Sequence, residues 1–325
     1  MKKILIGVVA VAVVAIIGIL IFTTNGKGVK DESTDVSVRL KWFNQAQFAG
    51  IYNAKDQGYY KDSGLNVTIN PGGPEISPVQ MVVSGADQFG ITSGNQIILA
   101  REKGIPVVAI AVIYSKSPIE ITSLKSKNIK TPHNLIGKKV GVVYADDDEI
   151  VLKSLLAKEG IDYSKIITEP KTFDLSQLIA GKIDAEVDYE MNEPAVLKSK
   201  GLDVNVIKPR DYGINFYGDT IFTTEDMIKN HPDTVRRFTE STIKGWAYAF
   251  TNVDQSIDSV MKYNDQLDRN IQTDFLKLSE DLIQNGKTGE SDADTWSSIQ
   301  NMLVDQGVIK NKVDINSLFT NEFLK

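Results

Sequence analysis

Short β-rich runs alternate with helical patterns along the chain after Asp35, and this alternation constrains the fold more than any other feature of the sequence. Residues 36–42 alternate apolar and polar side chains, as a strand with one buried face does. Residues 107–114 are almost continuously apolar, which is typical of a strand buried on both faces. The sequence therefore predicts an α/β protein with mostly parallel strands.

The strand-and-helix pattern occurs twice and is followed by a segment, from about residue 224 to the end, that is almost wholly helical. Strands are predicted at 36–42, 65–69, 87–91, 107–114, 138–143 and 185–188, and helices at 48–60, 77–84, 94–103, 147–158, 176–180, 235–250, 272–283 and 294–303. Trp246 and Trp296 share helical stripes with other apolar residues, so we expect both in the core.

Two α/β units in series predict two lobes with a ligand-binding cleft between them. We expect the first lobe to comprise residues 36–117 and 212–325, and the second lobe residues 118–211. The chain would cross between the lobes near Ser117 and Tyr212, and the C-terminal helices would return to the first lobe.

The residue content excludes several classes of chemistry. The chain has no cysteine, which rules out disulfides, zinc–thiolate sites, iron–sulfur clusters and cysteine nucleophiles. Its two histidines, His133 and His231, lack the spacing of a metal-ligand pair, so we expect no metal and no cofactor. A net charge of −6 argues against binding nucleic acid through its phosphates.

The N-terminal segment predicts a membrane association. Residues 4–22 form an uncharged apolar run of nineteen residues that follows Lys2 and Lys3. As a helix, this run would span about 28 Å, close to the thickness of a bilayer's hydrocarbon core. We expect an uncleaved anchor rather than a signal peptide, with the rest of the chain on the outer face. Residues 1–35 would then form the anchor and a flexible linker.

Several segments resemble one protein family. These segments are LKWFNQAQFAG at 40–50, AKDQGYYKDSGLNV at 54–67, QMVVSG at 80–85, AREKGIPVV at 100–108, LIGKKVG at 135–141 and DYGINFY at 211–217. They resemble substrate-binding proteins of the thiamine-pyrimidine-precursor type, within the nitrate, sulfonate and taurine-binding group of ABC importers. The resemblance covers roughly residues 36–252.

This resemblance implies a type II periplasmic-binding-protein fold that closes over a small solute and delivers it to an ABC permease and its ATPase. The solute it implies is a small heterocycle such as a thiamine pyrimidine precursor, and the alternative is a sulfonate, taurine or nitrate. It implies no enzymatic activity.

Candidate ligand-binding residues in the first lobe lie at the ends of strands. Trp42 ends the first predicted strand, where its indole could stack on a flat ring, and Asn44 follows in the same matching segment. Ser93 and Gly94 lie between a strand and a helix, as binding groups or as an ordinary helix cap. Tyr114 ends the long apolar strand, as a cleft wall or as a hinge residue.

The acidic loop at 145–149 is the most informative segment of the second lobe. Its acids, Asp147 among them, are accounted for as caps of the next helix, but any that face the cleft would disfavour an anionic solute. Tyr189, Asn192 and Glu193 follow a predicted strand; the resemblance places polar and aromatic ligand contacts there, although Glu193 could simply start a helix.

Two further candidates, Tyr217 and Asp219, lie on the returning crossover. Two other classes of function also stay open. A fungal branch of the same fold makes the thiamine pyrimidine with an active-site histidine and a cysteine-rich segment; here Gln96 lies where that histidine would be. The other class is a sensor ectodomain.

Overall fold

The strands form two five-stranded sheets in the computed structural model, which describes residues 33–283 and 288–324. The first sheet has the order β2-β1-β3-β10-β4. Its strands are β1 (Thr34–Arg39), β2 (Leu65–Asn70), β3 (Phe89–Thr92), β4 (Val107–Val112) and β10 (Thr220–Thr224). Every residue of β4 is buried, which confirms the prediction from its continuous apolar run.

The second sheet has the order β7-β6-β8-β5-β9. Its strands are β5 (Ile119–Leu124), β6 (Lys139–Val142), β7 (Ile167–Pro170), β8 (Ala185–Tyr189) and β9 (Val204–Ile207). The sequence patterns did not predict β5 and β10, which lie next to the crossovers, or β7 and β9, which lie at the edges of the second sheet.

Both sheets are mixed. β1 and β3 are parallel, as are β6 and its neighbours β7 and β8. β10 is antiparallel to β3 and β4, and β5 is antiparallel to β8 and β9. The expectation of mostly parallel strands is therefore wrong for β5 and β10. Each of these strands follows a segment in which the chain passes from one sheet to the other, so it does not arrive through the helical connection that keeps strands parallel.

Helices surround both sheets. Those up to β10 are α1 (Ala49–Asp56), α2 (Tyr59–Asp62), α3 (Pro78–Val83), α4 (Gly94–Glu102), α5 (Asp147–Lys158), α6 (Ser176–Ile179) and α7 (Glu193–Ser199). Those after β10 are α8 (Glu225–Asn230), α9 (Pro232–Thr251), α10 (Val253–Tyr263), α11 (Arg269–Ser279) and α12 (Ala293–Asp305). Residues Asp35–Lys325 form one compact unit.

The C-terminal helix α9 packs on α1, which follows β1 of the first sheet. Helix α9 crosses α1 so closely that a Cβ at Gly245 would lie 2.0 Å from the carbonyl oxygen of Gly50. Only glycine fits at that crossing. Trp246 is 2% exposed and Trp296 is fully buried, which confirms the prediction that both belong to the core.

The predicted apolar segment at 4–22 lies outside the described residues. Within the part of the chain that the structure describes, no helix is both long enough and apolar enough to cross a bilayer.

Candidate ligand-binding site

A cavity of about 420 Å³ lies between the two sheets and is lined by residues from both. Its volume falls within the range of about 300 to 1,000 Å³ that is usual for small-molecule sites. Five of the predicted residues line it: Trp42, Asp147, Tyr189, Asn192 and Glu193. The structure therefore brings together candidates that lie up to about 150 positions apart in the sequence.

The Trp42 side chain lies at the mouth of this cavity. It follows β1 by three residues instead of ending it, and the Gly72 N–H donates to its carbonyl oxygen at 2.9 Å. A Cβ at Gly72 would lie 2.2 Å from the Leu40 carbonyl oxygen, so this turn requires glycine. The indole meets the ring of Phe173, which follows β7 of the second sheet, edge-on at 5.1 Å between centroids.

The segment after β8 forms one polar wall. Glu193 accepts a hydrogen bond from the Tyr189 backbone N–H at 3.0 Å and another from the Asn192 side chain at 3.1 Å. Glu193 is also the first residue of α7, so it both starts a helix and lines the cavity. The Tyr189 hydroxyl accepts from the Lys41 ammonium at 3.0 Å, and burial raises the pKa of Tyr189 above its usual range.

Asp147 is 3% exposed and forms an ion pair with Lys41 at 2.9 Å. It also accepts hydrogen bonds from the Ser93 hydroxyl at 2.8 Å and from the Asn95 side-chain amide at 3.3 Å. Burial acts to raise the pKa of Asp147, but the Lys41 charge and these hydrogen bonds outweigh it and lower the pKa. Asp147 is therefore an ionised carboxylate linking the two sheets.

The other acids of the 145–149 loop also have partners. Asp146 caps α5 by accepting from the Asp147 N–H, and burial, followed by the Asp147 charge, raises the pKa of Asp146 to about 6. Asp148 forms an ion pair with Lys171 at 3.0 Å. Asp146, Asp147 and Asp148 all line the cavity, so the acidic loop both caps the helix and faces the cleft.

Three predicted residues, Asn44, Tyr114 and Asp219, form their hydrogen bonds outside the cavity, next to strands of the first sheet. Asn44 accepts from the Tyr52 hydroxyl, and the fully buried Tyr114 hydroxyl donates to Ser279. Neither lines the cavity between the sheets. Asp219 does not line the cavity either, but both of its carboxylate oxygens accept hydrogen bonds from the side-chain amide of Gln47, which does line it. Burial raises the pKa of Asp219 to about 6.

The remaining predicted residues, Ser93, Gly94 and Tyr217, also do not line the cavity between the sheets. Ser93 caps α4 and reaches the site only through Asp147. The Gly94 N–H donates to the Tyr217 carbonyl oxygen, and a Cβ on this glycine would lie 2.9 Å from the Tyr217 Cβ. Tyr217 lines a separate cavity of about 360 Å³, where its hydroxyl donates to Asp292 at 3.0 Å.

The lining residues that sequence reasoning missed include Lys41, Lys171 and Phe173. Burial acts to lower the pKa of Lys171, but the Asp148 and Asp188 carboxylates raise it above its usual value. Lys41 adjoins the predicted Trp42, but no local pattern signals that its partner lies 106 positions away. Among the described residues, no cluster of histidine and acidic side chains has a metal-binding arrangement.

Two mixed α/β sheets, joined by two crossovers and enclosing a cavity between them, define the periplasmic-binding-protein fold. The aliphatic sulfonate-binding protein SsuA of Escherichia coli has a similar structure, with a TM-score of 0.71 and 17% identity over 87% of this chain and 91% of that chain. At that identity the similarity shows the fold alone.

Sequence comparison identifies the family. The chain matches the NMT1/THI5 like family over residues 45–256 and therefore belongs to it. It is 26% identical to the formylaminopyrimidine-binding protein of Halalkalibacterium halodurans, over 83% of this chain and 84% of that protein. It is 25% identical to the riboflavin-binding protein RibY of Chloroflexus aurantiacus, over 89% and 86%. A Legionella pneumophila protein named 4-amino-5-hydroxymethyl-2-methylpyrimidine phosphate synthase is 21% identical, over 89% and 92%.

Proposed function

We propose that this protein is the extracytoplasmic solute-binding component of an ABC importer and that it binds a small, flat heterocycle, such as a thiamine pyrimidine precursor, between two lobes. The lobes are residues 36–117 with 212–325, and residues 118–211. Strands β1 to β4 and β10 form the first sheet and strands β5 to β9 form the second, which supports this division. One observation carries the proposal: a single cavity is lined from both sheets by aromatic and hydrogen-bonding side chains.

The distribution of side chains in the cavity suits a flat ring with polar substituents. Phe173 is 51% exposed and Tyr144 46%, so the mouth is aromatic. Gln47 and Thr92 are 2% and 3% exposed, so the deep end is polar. Aromatic rings cover the faces of a heterocycle, and polar groups below them fix its orientation.

Asn192 and Glu193 are the groups proposed to recognise the ring edge. A carboxylate accepts from an exocyclic amine, and a side-chain amide both donates to and accepts from ring nitrogens and their substituents. These two side chains are already hydrogen-bonded to each other at 3.1 Å, so they present a fixed pattern to the solute. The formylaminopyrimidine of the relative named above carries groups of this kind.

The alternative solutes, sulfonate, taurine and nitrate, fit the cavity less well. Backbone N–H groups at the start of a helix usually attract anions, but here the chain's own carboxylates accept from them. The N–H groups of Val143, Ala145 and Asp147 donate to Asp148, Glu149 and Asp146, at 3.3, 2.9 and 2.8 Å. These negative charges would repel an anionic solute, but they would not repel a neutral or amine-bearing ring.

We also propose binding without turnover. The synthase chemistry that the family resemblance implies uses a histidine and cysteines. This chain has Gln96 in the cavity wall and no cysteine. Conversion of a pyridoxal-type compound by the purified protein with iron would contradict this part of the proposal.

The proposed mechanism is hinge closure about the crossovers at 113–118 and 208–219, after which the closed form docks on the permease and its ATPase. The apolar segment at 4–22 is proposed to hold the protein at the membrane. Cell fractionation tests this: the intact chain should sediment with membranes, and removal of residues 1–22 should release it. Release of the intact chain by high salt alone would contradict an anchor.

A thermal-shift panel tests the solute class. Aminopyrimidines should raise the melting temperature of the purified protein, because a ligand that binds only the folded state stabilises it. Taurine and nitrate at the same concentrations should not. Stabilisation by taurine or nitrate, without any effect of pyrimidines, would overturn the assignment.

A further inference from the structure

The carboxylate of Asp147 forms bonds to three side chains on the other side of the cleft. Asp147 is the first residue of α5, in the second lobe. Its partners, Lys41, Ser93 and Asn95, stand beyond the ends of β1 and β3 in the first lobe. The distances are 2.9, 2.8 and 3.3 Å, and Asp147, Ser93 and Asn95 are each at most 3% exposed.

These bonds differ from the other ion pairs of the acidic loop. Asp148 pairs with Lys171, and Glu149 pairs with Lys153 one helical turn away, so both pairs stay inside the second lobe. Only bonds that cross the cleft break when lobes move apart. Lys41 strengthens the crossing, because its ammonium donates to the Tyr189 hydroxyl as well as to Asp147.

We propose that Asp147 is a positioning residue that closes the cleft: its bonds to Lys41, Ser93 and Asn95, the interlobe link, hold the two lobes together. This inference rests on the two-lobe mechanism proposed above. The link is made between protein groups, so it sets the balance between open and closed forms to which a solute adds its own binding energy. A solute would then bind into a cleft that is already biased toward closure.

The size of the effect follows from the kind of bond. A buried hydrogen bond to an ionised group is worth enough to change an equilibrium by about tenfold or more. Asp147→Asn keeps the shape of the side chain but removes its charge and weakens all three bonds. We therefore expect this substitution to raise the ratio of open to closed forms by about tenfold.

Spin-label distance measurements test the interlobe link directly. Because the chain has no cysteine, Val83→Cys and Ile179→Cys give two unique labelling sites. Val83 is 44% exposed on α3 and Ile179 is 40% exposed on α6, so the labels report on the two lobes. The distances are measured in the full chain, purified in detergent, with no solute added.

Asp147→Asn should enlarge the long-distance population, while the matched control, Asp184→Asn, should leave the distances unchanged. Asp184 also bonds a lysine, Lys127 at 2.8 Å, and a backbone N–H, that of Lys139, but entirely within the second lobe. Asn95→Ala removes one bond of the link and should give a smaller shift in the same direction, which keeps the test valid if Asp147→Asn folds poorly.

The inference is overturned if the two link variants give the same distance distribution as the parent and the control. The test is independent of the solute, because none is present. A protein that shows the shift but binds no pyrimidine would keep the interlobe link and refute the proposed ligand. A protein that binds pyrimidine without the shift would refute the interlobe link and keep the proposed ligand.

Discussion

Trp42 and Phe173 meet edge-on across the mouth of the cavity, with ring centroids 5.1 Å apart and an angle of 61° between their planes. Trp42 follows β1 of the first sheet, and Phe173 follows β7 of the second sheet. The contact therefore joins a segment that follows the first sheet to a segment that follows the second sheet. Under the proposed function, a flat solute would pass these rings as it enters the cavity.

Trp42→Ala should weaken solute binding by about 1 to 3 kcal/mol, or roughly 5- to 150-fold in Kd, because the solute loses an aromatic surface. Trp42→Phe should retain most of the affinity, since a smaller ring still covers a heterocycle. Titration calorimetry of the three proteins with an aminopyrimidine measures the difference. An unchanged Kd for Trp42→Ala would place the indole outside the site.

Asp148→Ala should create a weak site for sulfate. The substitution leaves the Lys171 ammonium and the Val143 N–H without the carboxylate that now accepts from both, at 3.0 and 3.3 Å. Leaving a buried charge without any partner costs about 3 to 5 kcal/mol of folding stability. The cost here should be smaller, because Lys171 keeps Asp188 at 3.6 Å, and an added anion should restore part of it.

The measurement is the melting temperature of parent and variant in sulfate and in sodium chloride of equal ionic strength. Sulfate should stabilise the variant more than the parent, and chloride should show no such preference. Equal responses of the two proteins to sulfate would mean that Asp148 does not occupy the place of an anion.

The local features of the fold were predictable from the sequence. The acids at 146–149 predict a helix start, and α5 begins at Asp147 and ends at Lys158 as expected. The apolar stripes that contain Trp246 and Trp296 face the core, also as expected. Such predictions succeed because helix caps and apolar periodicity are encoded within a few residues of each other.

The contacts between distant parts of the chain were not predictable in the same way. Lys41 and Lys171 form ion pairs with acids of α5, and no spacing in the sequence signals such a pairing. The direction of β5 and β10 depends on where the chain crosses between the sheets, which local patterns do not report. Tyr114 follows β4 and Asn44 follows β1, but the hydrogen bonds of both side chains lie outside the cavity between the sheets.

Glu120→Gln should stabilise the protein increasingly as pH rises. Glu120 is 1% exposed, and burial, followed by repulsion from Glu190, raises the pKa of Glu120 to about 8. The unfolded chain releases this proton near pH 4.5, so the folded state binds more protons between about pH 4.5 and 8. The contribution of Glu120 to stability is therefore lost as pH rises through that window.

Glutamine carries no such proton and escapes the loss. Thermal unfolding of both proteins at pH 5, 7 and 9 checks the prediction, and the advantage of the variant in melting temperature should grow from pH 5 to pH 9. A difference that stays constant with pH would show that Glu120 ionises in the folded protein at its ordinary pKa.

Gly245→Ala should destabilise the fold by about 1 to 3 kcal/mol or more, because the added methyl group would meet the Gly50 carbonyl oxygen and force α9 away from α1. Ala247→Ser, on the exposed side of the same helix, serves as the control and should change the melting temperature little. Denaturant unfolding measures both. Parent-like stability of Gly245→Ala would contradict the tight crossing.

Direct titration of the purified protein tests most sharply whether the cavity binds a small heterocycle rather than an anion. Calorimetry should show saturable one-to-one binding of an aminopyrimidine that carries the hydrogen-bonding groups complementary to Asn192 and Glu193, and no heat of binding with taurine or nitrate. Saturable binding of taurine or nitrate, with none of any heterocycle, would contradict the account.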